Sequence, residues 1–212
     1  MGNCMTLAIP IVVTPPATGA VTLDSLKVFM RLTGDDEDTL LQTLLDAATD
    51  QVELYLGRSL ITRTLRLTLD RFPIARCELW WDGVREGAIA ALTGSSGPIR
   101  LPRPPILSIT SLTTYTPDDT ASVLDPTAYR LDSASGAIVL KDGRSWPTGL
   151  REQGGIEIDY QAGYGPNPAN VPAAIRTAIM MQAAQSYDSR VCGDLCDGAV
   201  KACKSYRIHP MS

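Results

Sequence analysis

The hydrophobic period of this chain changes twice, and that change constrains the fold more than any other feature. Apolar residues recur at helical spacing over residues 21–61, at every second position through much of 62–165, and at helical spacing again from 166 onward. Helices, then strands, then helices give segregated elements, so the expected class is α+β and not alternating β-α-β. The helices from the two ends are expected to pack as one bundle, with an antiparallel β region inserted between them. The corresponding division is an N-terminal arm (1–20), N-terminal helices (21–61), a β-rich insertion (62–165), a long C-terminal helix (166–192) and a C-terminal tail (193–212).

Residues 21–32 read as a short helix with Thr22 as N-cap and Gly34 as the stop. Residues 35–56 carry the strongest helical pattern. Asp35, Asp36, Glu37 and Asp38 crowd its start, where the helix dipole favours negative charge. Leu41, Leu44, Leu45, Ala48, Val52, Tyr55 and Leu56 form one apolar stripe, and Gly57 suits the C-terminal cap. Leu40, Ala47 and Leu54 form a second stripe beside it, which calls for a second neighbour: another helix of the chain or a second subunit. In the last helix, residues 171–190, Pro172 is placed at the first helical position. Residues 178–184 are apolar almost all round, so that stretch is expected to be buried on most sides. A short helix is expected over 199–206.

In the middle region, Leu65, Leu67 and Leu69 alternate with polar residues, as do Ile156, Ile158 and Tyr160. Residues 106–115 are rich in β-branched side chains. Residues 78–81 form a further candidate strand. Residues 129–131 and 138–140 flank Ser133-Ala134-Ser135-Gly136, a hairpin pattern. The first twenty residues, broken by Pro10, Pro15, Pro16 and Gly19, read as a flexible or partner-bound arm. Their short apolar run contains Pro10 and follows no basic residue, so a signal peptide is not expected. The start Met1-Gly2-Asn3-Cys4-Met5-Thr6 fits only a loose acylation pattern. No apolar run reaches the ~20 residues that span a bilayer.

Composition excludes some functions. A net charge of −4 argues against tight sequence-independent DNA binding, which needs a clustered basic surface. Five cysteines make an odd, sparse set that does not suggest a disulfide scaffold. The single histidine, His209, is close to the chain end, a poor place for preorganised acid–base chemistry. Cys192, Cys196 and Cys203 lack the tight pairing of a structural zinc site and read as small apolar residues. Gly94-Ser95-Ser96-Gly97 lacks the lysine and following helix of a phosphate loop. Trp80 and Trp81 point to opposite faces if they lie on a strand, one toward the core and one toward a rim. No catalytic residue, metal or cofactor is expected.

Charge is distributed unevenly. Residues 35–57 hold seven acids (Asp35, Asp36, Glu37, Asp38, Asp46, Asp50, Glu53) and no Lys or Arg. Residues 199–209 hold Lys201, Lys204 and Arg207 and no acid. These read either as ordinary solvated surfaces or as two docking faces of opposite sign.

Several ordered motifs resemble a known family. Val21-Thr22-Leu23-Asp24-Ser25-Leu26-Lys27 with Gly34-Asp35-Asp36-Glu37-Asp38-Thr39-Leu40-Leu41 is similar to its opening helix pair. Tyr55-Leu56-Gly57-Arg58-Ser59-Leu60-Ile61-Thr62 is similar to its helix-to-strand junction, and Leu101-Pro102-Arg103-Pro104-Pro105-Ile106 to a Pro-rich strand start. Tyr160-Gln161-Ala162-Gly163-Tyr164-Gly165, then Val171-Pro172-Ala173-Ala174-Ile175-Arg176, looks like its passage into the last long helix. Ser205-Tyr206-Arg207 is similar to its usual ending. The family is the head–tail connector (adaptor, or head-completion) proteins of long-tailed bacteriophages and gene transfer agents, and the resemblance spans about residues 21–207.

That resemblance implies a non-enzymatic virion protein, assembled in the host bacterial cytoplasm and located at the neck. It implies a ring of about twelve copies below the portal protein, a closed cyclic assembly. The ring would meet the next neck protein, a stopper or tail terminator, while genomic DNA passes through without specific binding and no membrane is involved. Within that picture, Lys201, Lys204, Tyr206 and Arg207 are the candidate portal-docking residues, on a tail expected to be mobile and to order on binding. Leu40, Ala47 and Leu54 are the candidate subunit interface, and the seven acids a lumen or docking face. The alternatives are a stopper or terminator acting one layer lower, and a small carboxylate- or metal-dependent hydrolase.

Overall fold

A computed structural model of the chain describes residues 9–73, 97–190 and 194–208. Trp80, Trp81, Cys192, His209 and the candidate strand at 78–81 lie outside the described residues. In chain order the elements are β1 (Ile11–Thr14), α1 (Leu23–Met30), α2 (Asp38–Leu56), β2 (Arg63–Leu69), β3 (Ile99–Arg100), β4 (Ile106–Tyr115), β5 (Ala121–Val123), β6 (Tyr129–Asp132), β7 (Ala137–Leu140), β8 (Ile156–Ala162), α3 (Ala173–Ser189) and α4 (Asp197–Cys203). Short 3-10 turns, Pro168–Asn170 and Lys204–Tyr206, precede α3 and follow α4. The class is α+β. The described residues fall into two compact units: a helical one (14–63, 103–105, 162–190 and 194–208) and a β one (9–13, 64–73, 97–102 and 106–161).

In the helical unit, α1 starts where Thr22 Oγ1 accepts the Ser25 N–H at 3.3 Å. It stops earlier than the glycine signal suggests: Arg31 takes the left-handed cap at φ 58° and its N–H bonds back to Val28. Helix α2 begins at Asp38, so Asp35, Asp36 and Glu37 lie in the turn ahead of it. Gly57 caps it in the left-handed region at φ 67°. Pro172 occupies the cap position of α3, one residue before its first helical turn.

The core of this unit joins Leu41, Leu45, Ala48, Val52 and Leu56 of α2 to Ile175, Ala178, Ile179 and Ala183 of α3, with Leu26, Ala199 and Cys203 closing it. The predicted main stripe of α2 therefore faces the C-terminal helix. Gln182 is the polar tie in this core, only 2% exposed. Its amide nitrogen donates to Gln51 Oε1 at 2.9 Å and its oxygen accepts the Cys196 N–H at 2.8 Å. Both halves of a buried amide are thereby satisfied.

Gly163 fixes the return of the chain into this unit. At φ 140° an added Cβ would stand 2.5 Å from the Thr62 nitrogen, so only glycine fits. Hydrogen bonds Gly163 N–H to Pro105 O (2.9 Å), Tyr164 N–H to Leu60 O (2.9 Å) and Thr62 N–H to Gly165 O (3.0 Å) complete the junction.

The β unit holds a five-stranded sheet in the order β1-β2-β8-β4-β5 and an antiparallel three-stranded sheet in the order β3-β7-β6. Period-two burial is plain on β8, where Ile156, Ile158 and Tyr160 are sealed while Glu157 and Asp159 face the other way. The β6–β7 hairpin pairs Tyr129 with Leu140 and Asp132 with Ala137. Its turn is held by Asp132, which accepts from the Ala134 N–H (3.2 Å) and the Ser135 hydroxyl (2.6 Å), with Gly136 at φ 64°.

The arm expectation needs correction. Residues 11–14 form strand β1 on the edge of the five-stranded sheet, and Ala20 and Val21 are buried in the helical core. The strand's side chains are all exposed, among them Ile11 at 65%, so its apolar content escaped a reading based on burial pattern.

Candidate functional site

Three surface features of the helical unit correspond to the residues singled out in the sequence. The first is the second stripe of α2. Leu40 is 47% exposed and Leu54 76%, with Ala47 half-buried between them. No described helix of the same chain covers this stripe. Of the two neighbours it called for, the intrachain one is not found among the described residues.

The second feature is acidic. Asp35, Asp36, Glu37, Asp46 and Asp50 are exposed and Asp38 is half-buried. They are not equivalent. Lys27 of α1 reaches both Asp35, at 2.7 Å, and Asp38. These bonds raise the Lys27 ammonium above its ordinary pKa and hold the Asp35 carboxyl below its own. Glu37 accepts a hydrogen bond from the Tyr187 hydroxyl of α3. Asp46 accepts from Gln42 at 2.8 Å, one turn earlier. Two of the acids at the helix start therefore fasten α1 to α2, and a third fastens α2 to α3.

Glu53 does not belong to that face. It is 3% exposed, sealed at the end of α2. Its Oε1 accepts the Leu60 N–H at 3.0 Å and pairs with Arg63 Nη2 at 2.5 Å, while Oε2 lies 3.8 Å from Arg103 Nη1. Burial pushes its carboxyl above the usual range, opposed first by Arg63, then by the Leu60 N–H and Arg103. Sequence reasoning grouped it with the exposed acids because it lies on the flank of the apolar arc. The missed signal was its position. A carboxylate in the last turn opposes the helix dipole, and it persists only with cations at hand.

The third feature is the basic C-terminal edge. Lys201, Lys204 and Arg207 are exposed and Tyr206 is half-buried. The expected mobility of this segment is not what the structure shows for residues 197–208. Ala199 and Cys203 are fully buried in the helical core. Arg58 Nε donates to Tyr206 O at 2.6 Å, the Ile208 N–H donates to Leu56 O at 3.0 Å, and the Arg207 guanidinium lies 4.6 Å from the centre of the Tyr55 ring. The tail is pinned to the end of α2, so cutting it away would uncover core and not merely remove an anchor. Two small buried residues give too weak a pattern for this to be read from sequence.

Cys196 is half-buried and its sulfur accepts the Ala199 N–H at 3.4 Å, while burial raises the Cys203 thiol. Among the described residues no group of three His, Cys, Asp or Glu side chains is placed to hold a metal ion. Among those residues, too, no helix is long and apolar enough to cross a membrane.

Comparison with known proteins fits this architecture. Residues 20–114 match the family described as Phage gp6-like head-tail connector protein. No curated protein matches the chain. Among solved structures, a chain in the neck of an empty GTA particle, computed with C6 symmetry, superposes with a TM-score of 0.72 at 23% identity. A chain in the virion of a native gene transfer agent (GTA) particle gives 0.71 at 22%, and one in the neck of a native GTA particle, computed with C12 symmetry, 0.67 at 23%. Each alignment covers 96% of this chain and 97% of the other. The resemblance read in the sequence has this support: residues 20–114 match the phage gp6-like head-tail connector family, and nearly the whole chain shares its fold with chains in gene transfer agent particles.

Proposed function

We propose that this chain is a structural head–tail connector. Copies of it form a ring of about twelve below the portal of a phage or gene transfer agent particle, a closed cyclic assembly with DNA passing through the centre. The observation that carries this reading is the family match over residues 20–114, which runs through both N-terminal helices and on into β4. The surfaces support it. A half-apolar helix face and two charged faces sit outside a well-sealed core, as a protein that works by docking requires. The role needs no catalytic residue, metal or cofactor.

The ring's partners are the portal above and a stopper or tail terminator below. Docking to the portal through Lys201, Lys204, Tyr206 and Arg207 was expected on the premise of a mobile anchor. With the segment folded, any partner would meet a preformed edge. The direct experiment removes the gene from the producing cell. DNA-filled heads and unattached tails should accumulate, and adding purified chain should join them. Normal yields of tailed particles without the chain would overturn the reading. Mixing purified chain with portal and, separately, with tail-tube protein distinguishes an adaptor from a terminator.

A further inference from the structure

The exposed stripe of α2 is edged by acids. Asp50 lies three residues after Ala47 and four before Leu54, so it shares their face, and Asp46 stands one turn before Asp50. Among the described residues neither aspartate forms an ion pair, unlike Asp35 and Asp38, which Lys27 engages. Exposed leucines at 47% and 76% fit a face covered by protein better than one that lines a wet lumen.

The same unit carries the complementary chemistry at another place. Lys201 and Lys204 are exposed and form no ion pair among the described residues, and Ala202, Tyr206 and Ile208 are half-exposed beside them. The Ile208 and Tyr206 hydrogen bonds fix this edge at the C-terminal end of α2. One folded body therefore presents an apolar-acidic face and an apolar-basic edge that do not satisfy each other. Two different complementary patches on one chain can pair head to tail between copies, the heterologous contact that closes into rings.

We propose that the α2 stripe Leu40, Ala47 and Leu54, with Asp46 and Asp50, seats the edge carrying Lys201 and Lys204 of a second copy of this chain. This deepens the ring reading above and rests on it. The leucines supply contact area, and the charges set direction and reject the head-to-head arrangement. Lateral contacts of this kind can be weak alone and become effective when neighbours are held side by side on a template.

The test uses full-length chain in assembled particles. Particles are reconstituted from an equal mixture of unlabelled and heavy-nitrogen chain and treated with a carbodiimide, which joins carboxylates directly to amines. Mixed-label links from Asp46 or Asp50 to Lys201 or Lys204 are expected. If the chain is in the neck and its mixed-label links all lie elsewhere, this proposal fails and the connector reading stands. If the chain is absent from particles, the connector reading fails and takes the proposal with it. Charge exchange gives a second readout. Asp46→Lys with Asp50→Lys, and separately Lys201→Asp with Lys204→Asp, should each cut the yield of tailed particles at least about tenfold while far-ultraviolet dichroism stays native. Mixed together they should recover, because each altered surface then finds its complement. Wild-type yield from either variant alone overturns the proposal.

Discussion

Both units of this chain hold an arginine–carboxylate cluster, and the two clusters live in different media. In the helical unit, Glu53 is 3% exposed and faces Arg63 and Arg103. In the β unit, Arg66 on β2 forks onto Asp159 of β8 at 2.7 and 2.8 Å and reaches Glu157 at 3.3 Å. Tyr115 donates to Glu157 at 3.0 Å, and Arg151 lies 4.2 Å from the Tyr115 ring centre. Arg66 keeps 39% of its side chain in contact with solvent. The β cluster has better geometry, yet the helical one should matter more. Water can replace a lost partner at the surface, whereas a sealed carboxylate has nothing to fall back on.

The largest effect is expected from Arg63→Ala. It leaves a buried carboxylate with the Leu60 N–H and the longer Arg103 contact but no close cation, and a loss of about 3 kcal/mol is expected. Urea unfolding measures it. A change below about 1 kcal/mol would mean that Glu53 is rescued by water or by a proton. Next in size is Gln182→Ala. It strips a partner from Gln51 and from the Cys196 N–H, at a cost of about 1–3 kcal/mol. Amide exchange should quicken selectively at Cys196, because that N–H loses its acceptor.

How far these features can be read from the sequence depends on how local their causes are. Helix α2, strand β8 and the β6–β7 hairpin are written in period and turn chemistry, so Leu41 to Leu56, Ile156 to Tyr160 and Gly136 stand where the pattern puts them. The uncovered α2 stripe was also visible, since a second apolar line on one helix demands a partner. Three things were not visible. Glu53 differs from Asp50 only by which flank of α2 it sits on, and its partners Arg63 and Arg103 come from a strand start and a Pro-rich loop. The docking of α4 depends on Ala199 and Cys203, too small to make a stripe. Strand β1 is held at a sheet edge with every side chain exposed, so burial left no alternation in it.

Acid titration separates the buried carboxylate from the exposed ones. Burial holds the Glu53 carboxyl above its ordinary value of 4.5. Between that value and the raised one, the folded state keeps a proton that the unfolded chain has released. Stability therefore falls as pH rises through this window and levels off above it. Glu53→Gln should remove that fall, with Arg63, Arg103 and Asp50 still in place. Asp35, Asp125 and Asp132 have lowered carboxyl values, so their contribution is lost in the opposite direction, as pH drops below their ordinary value of 3.8. Chemical denaturation midpoints followed upward from pH 4.5 isolate Glu53. A Glu53→Gln profile parallel to wild type would show that the carboxyl is not raised.

The smallest expected effect belongs to Arg66→Ala in the β unit. Despite the bidentate contact, solvent reaches the guanidinium, and the loss should be about 0.5 kcal/mol, at most about 1. Salt decides the interpretation. If the pair acts through screened charge, the difference between wild type and variant should shrink between low salt and about 1 M, where the screening length is near 3 Å. A larger, salt-independent loss would mean that the Arg66 stem packs on the sheet and that this cluster behaves like the sealed one at Glu53. The medium would then not be what separates the two units.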